Sequence, residues 1–85
     1  MKNEEITSTT REILLREWDP CGVGDNNALM DEYDQYLPAI VALVIRRSSS
    51  AVMNQTLIEL EKELGVALPE EQRERVVRSL LAIRP

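Results

Sequence analysis

Histidine and phenylalanine are absent from this chain of 85 residues, cysteine occurs once, and tryptophan and tyrosine together supply only three rings. Without histidine there is no ordinary general base, no imidazole metal ligand, and no Ser-His or Cys-His nucleophile pair. A single cysteine, Cys21, excludes an internal disulfide and any multi-cysteine zinc site. The longest apolar run, Ala39 to Ile45, is seven residues, far short of the roughly 20 that span a bilayer. The opening stretch MKNEEITSTT lacks the apolar segment of a signal peptide. These absences lead to the expectation of a cytoplasmic, non-enzymatic protein with no cofactor and no metal.

The lack of phenylalanine also shapes the core. Hydrophobic residues make up 44 % of the chain, an ordinary share, so the interior must be aliphatic, with Trp18, Tyr33 and Tyr36 as its only large plates. A core of this size leaves little surplus over conformational entropy, and a homodimer is one remedy left open.

Bases are the scarcer charge. The net charge of −5 disfavours nucleic acid, which needs a basic face, and anionic membrane surfaces. The acidity is local: residues 1–36 hold nine acids against three bases, whereas 37–85 hold six acids against seven bases. Between 19 and 36 there are five acids and no base.

What is present reads as helix. Thr9 followed by Glu12 fits a capping box, and Ile13, Leu14 and Trp18 share a face that Ile6 could extend by another turn; this predicts a first helix over about 9–18, with residues 1–8 as a partly disordered lead-in. Pro20, Gly22, Gly24, Asn26 and Asn27 mark a loop. A second helix is predicted over about 34–47, with Pro38 in its first turn, Ile40, Val41, Val44 and Ile45 as a buried face, and Asp31 or Asp34 as its cap. A third, about 50–64, starts after Ser48-Ser-Ser50, carries the stripe Met53, Leu57, Leu60 and Leu64, and ends at Gly65. A fourth, about 69–83, opens at Pro69 with Glu70 and Glu71 in its positive first turn. The expected fold is an all-α, single-domain four-helix bundle with a Gly/Asn-rich loop between helices 1 and 2.

Chemistry-bearing motifs are few. Counted from Asp25, an EF-hand needs glycine and glutamate where Met30 and Tyr36 stand, so the match fails. Gly22-Val-Gly24 has neither the lysine nor the preceding strand of a phosphate loop. The leucine stripe of helix 3 is too short for a confident coiled-coil seam. The stretch from Trp18 to Tyr36 is the distinctive one. Read as architecture, it is a clasp in which Tyr33 and Tyr36 pack back on Trp18. Read as a surface, Asp25, Asp31, Glu32, Tyr33, Asp34 and Tyr36 form an acidic, tyrosine-containing patch suited to a basic protein partner.

Arg16-Glu-Trp-Asp-Pro-Cys-Gly-Val-Gly24, with Asp31-Glu-Tyr-Asp-Gln-Tyr36 and Pro38 behind it, resembles small bacterial proteins of unknown function with an EWDPIGV…DEYDxYxP signature, a related group of which occurs in Bacillus-type genomes. The likeness covers about residues 11–83 and is specific over 17–38. It implies a small helical bacterial protein and brings no catalytic residues. Cys21 stands where that signature has isoleucine, which implies apolar packing there. A vaguer likeness, of size, charge and class alone, is to the DNase-colicin immunity proteins, which block a basic nuclease with carboxylates and tyrosines. The expected function is a non-catalytic protein-binding module, an immunity or inhibitor protein being its specific form. The alternative is a structural accessory subunit or homodimer whose clasp is purely architectural.

Overall fold

Helix α1 runs from Asn3 to Ile13 and passes directly into a π-helical turn, Leu14–Trp18. The computed structural model describes residues 2–22 and 33–85. After residue 33 the chain forms a 3-10 turn, Asp34–Tyr36, and then α2 (Leu37–Ile45), α3 (Ser50–Leu64) and α4 (Glu70–Leu81). Helix α1 packs on α2 and α4, and α3 packs on α4. Among the described residues there is no strand, and the all-α four-helix class expected from periodicity holds.

The first helix begins earlier than its sequence suggested. Its cap is Lys2, which makes no side-chain capping bond, so the Thr9–Glu12 box does not start the helix and residues from Asn3 onward are helical rather than a lead-in. The reason is Ile6, which is buried and extends the stripe Ile6, Thr10, Ile13 toward the N-terminus. Glu4 and Glu5 then occupy the positive first turn.

The π turn widens the last part of this segment, with the Asp19 amide donating to the Leu14 carbonyl at 2.8 Å. Leu14, Leu15 and Trp18 are all buried there. Asp19 then turns left-handed (φ 31°), a conformation that aspartate tolerates, and Gly22 donates to the Asp19 carbonyl at 3.1 Å.

The other helix ends follow local signals. Ser49 caps α3 by accepting from the Val52 amide at 3.3 Å, and Gly65 (φ 75°) ends it. The Val66 amide donates to the Glu61 carbonyl and the Gly65 amide to that of Lys62, the paired bonds of a Schellman ending. Helix α2 ends in the same way, with Ser48 bonded to Leu43 and Arg47 to Val44. Here the left-handed residue is Arg47 (φ 54°), not a glycine. Pro38 lies in the first turn of α2, as expected, and Pro69 caps α4.

Two parts of the expected core differ. Along α3 the buried stripe is Met53, Leu57 and Glu61, while Leu60 and Leu64 are only partly covered. On α2, Ile40 and Val44 are buried, whereas Ile45 is exposed. The helix is apolar over most of its circumference, so tertiary packing alone selects the face that turns inward.

Candidate functional site

Of the residues singled out by the sequence, Tyr33, Asp34 and Tyr36 are described. Asp25, Asp31 and Glu32 lie outside the described residues. Tyr33 is 2 % exposed, so it is no surface contact. Its ring meets that of Trp18 edge-on at 5.4 Å, and Tyr36, half-buried, meets Trp18 at 6.4 Å. Both tyrosines therefore pack back on the tryptophan. The Tyr33 hydroxyl accepts from the Cys21 amide at 2.9 Å and donates to Asp19 at 2.8 Å. Burial, then the bond to Asp19, push the phenol well above its ordinary range.

Asp34 makes no side-chain cap for α2. It is forked by Arg11, at 2.9 Å from Nε and 3.3 Å from the terminal nitrogen, which ties the 3-10 turn to α1. The Cys21 side chain is exposed, which corrects the expectation of apolar packing; only its backbone is used, to hold Tyr33.

Sequence reasoning missed the polar centre of the fold. Glu61 is 1 % exposed. Its carboxylate accepts from the Trp18 indole at 3.1 Å, from the Leu68 amide at 2.9 Å, and from Arg73 at 2.9 and 2.6 Å. Arg73 also donates to the Leu68 carbonyl at 3.0 Å. Burial raises the Glu61 carboxyl, but Arg73, Leu68 and Trp18 together outweigh it and hold the group below the usual glutamate value. The bond to Glu61 likewise raises Arg73, against its burial. The signal was the four-residue spacing Met53, Leu57, Glu61, which puts the carboxylate on the apolar stripe.

Could this pair be catalytic? Neither Glu61 nor Arg73 lines any of the three grooves found among the described residues. The carboxylate is held below its ordinary value rather than raised for acid–base work. It joins α1, α3 and α4. Nor do three His, Cys, Asp or Glu side chains converge as metal ligands among the described residues.

The open surface lies elsewhere. A groove of about 390 Å³ between α3 and α4 is lined by Ala51, Asn54, Val77 and Leu81, with Glu70 and Glu74 along one part and Arg78 along another. Leu81 also borders a smaller hollow of about 100 Å³, with Val44, Met53, Ile83, Arg47 and Arg84. Ile45, Val52 and Leu81 are 43 %, 47 % and 41 % exposed and are the large apolar side chains left uncovered among the described residues. Their sequence signal was surplus width. With Val76, Val77 and Leu80 facing inward, Leu81 falls one step of about 100° past the buried face.

No helix among the described residues is long and apolar enough to cross a membrane. The chain matches no protein-family model, no curated protein and no solved structure.

Proposed function

We propose that the chain is a non-catalytic protein-binding module. The observation that carries this reading is the α3–α4 groove with the half-exposed Leu81 on its wall, in a chain that also leaves Ile45 and Val52 exposed. Exposed apolar side chains on a groove are what a partner covers. Several carboxylates of the acidic half are already engaged: Asp34 holds Arg11, Glu17 holds Ser79, and Glu12 holds Arg16. An immunity or inhibitor protein facing a basic target would use Asp25, Asp31 and Glu32, which lie outside the described residues.

The burial of Tyr33 favours one part of the second reading, that the clasp is architecture in an accessory subunit or homodimer. One experiment addresses both. A photoreactive amino acid replaces Ala51 in the groove, or Glu63 away from it, in cells of the source organism. A binding module gives a discrete adduct from the groove position only, and replacing Leu81 by Gln abolishes it. An adduct of twice the chain's mass establishes the homodimer, and no adduct from either position defeats the binding reading.

A further inference from the structure

We infer that the surface around Leu81 docks an amphipathic helical segment of a partner protein, about three turns long, with carboxylates at the end that meets Arg47 and Arg84. The inference rests on the protein-binding reading above and specifies the chemistry of the partner.

Three observations lead there. The first is charge. Residues 50–58 carry no charge and residues 75–85 carry no acid. Arg46, Arg47, Arg78 and Arg84 make no ion pair among the described residues. In an acidic protein Arg78 thus lines the groove, and Arg47 and Arg84 line the hollow that shares Leu81 with it, all three without a carboxylate partner among the described residues. Arginine's planar fork suits carboxylates and adds selectivity and encounter rate more than raw affinity.

The second is the backbone at Arg47. Its φ of 54° is the conformation that costs glycine nothing and an ordinary residue something. The corresponding position at the end of α3 is Gly65. The helix ending would form at least as well with glycine, so the ending itself does not require an arginine there. What the side chain adds is a cation on the rim of the hollow.

The third is shape and polarity. From Glu70 to Leu81 the groove follows α4, a rise of roughly 16 Å at 1.5 Å per residue. That length fits a three-turn helix laid alongside, the helix-in-groove mode of recognition. Glu70 and Glu74 line the far part, so carboxylates on the ligand are excluded there and favoured at the arginine end.

The test uses two synthetic peptides of about twelve residues with the same leucine stripe. One carries glutamates on the end that would meet Arg47 and Arg84, and the other carries lysines there. Affinity is followed by fluorescence anisotropy and the site by amide chemical shifts. The glutamate peptide should bind roughly tenfold tighter at low salt, as two attractive pairs replace two repulsive ones. The preference should shrink as salt rises, and the shifts should centre on 44–54 and 77–84. Arg47→Gly should keep the melting temperature or raise it while weakening the glutamate peptide roughly threefold. Arg47→Glu with Arg84→Glu should invert the preference.

Equal binding of the two peptides, shifts centred elsewhere, or no inversion would overturn the inference. If neither peptide binds while Ala51 still captures a heterologous protein, the partner's chemistry is wrong and the binding reading stands. A self-adduct also overturns the inference, since a second copy then covers the surface. If neither peptide binds and no adduct forms, both readings fail.

Discussion

Two regions of this small domain treat their charged and apolar groups in opposite ways. Around Trp18 the structure is saturated. Glu61 has donors from three residues, Arg73 has two acceptor partners, and Tyr33 both accepts and donates. Around Leu81 that side chain is partly exposed, and Arg47, Arg78 and Arg84 make no ion pair among the described residues. Partnered buried groups hold a fold together, since leaving one unpaired is expensive. Unpartnered surface groups cost the monomer little and remain available. The comparison teaches that Trp18, Asp19 and Tyr33, from the distinctive stretch, are engaged in the fold, while plainer helical sequence carries the exposed apolar side chains.

The hardest blow to that contrast is Trp18→Ala. It removes the one indole at the junction of α1, α3 and α4, and should cost about 3–5 kcal/mol, a large part of the 5–15 kcal/mol typical of a domain. Chemical denaturation measures it directly. An unchanged midpoint would mean that Trp18 does not anchor the core.

Glu61→Gln strands a buried guanidinium and should cost about 3 kcal/mol or more. The pH profile sharpens this test. The folded carboxyl lies below its ordinary value, so its contribution is complete above the unfolded pKa of about 4.3 and is lost as pH falls through the lower folded value. Urea midpoints of the native protein should fall on acidification below about pH 4.3, and the Gln variant should lack that component. Parallel profiles would show the pair to be energetically silent.

Tyr33→Phe keeps the ring contact with Trp18 but removes the bond to Asp19 and the acceptor for Cys21. About 1–2 kcal/mol should be lost. Because the phenol is raised in the folded state, its contribution is present below the unfolded value of about 10 and is lost as pH climbs above it. The Phe variant should therefore lose less stability in alkali than the native chain. A steeper alkaline loss in the variant would contradict the arrangement.

The smallest effect belongs to the open surface. Leu81→Gln and Val52→Gln should each change stability by no more than about 0.5 kcal/mol, while Leu81→Gln abolishes crosslinking through Ala51. Should either unfold the domain, the surface around Leu81 would belong to the core and the contrast would collapse.

Much of the architecture was legible along the chain because its signals are local. Ser49 and Gly65 bound α3 as their chemistry requires, and Pro38 sits in the first turn of α2. The packing of Tyr33 and Tyr36 on Trp18 was one of two readings the sequence allowed, resting on their three-residue spacing, and the ring contacts agree with it. The start of α1 was missed because a plausible cap at Thr9 competes with burial of Ile6, and burial wins. The buried pair was missed because glutamate and arginine are normally solvated, and nothing within either helix shows that the two will meet.

The sequence by itself therefore determined the class of fold, both ends of α3 and the absence of histidine or multi-cysteine chemistry, since each depends on residue type or on neighbours within a turn. Only the tertiary structure decided which polar groups are buried and which apolar ones stay uncovered. Glu61 and Arg73 are separated by the whole connection between α3 and α4, and Leu81 differs from Leu80 only by its angle around one helix. Burial depends on how helices dock, a property of pairs of elements that no single segment encodes.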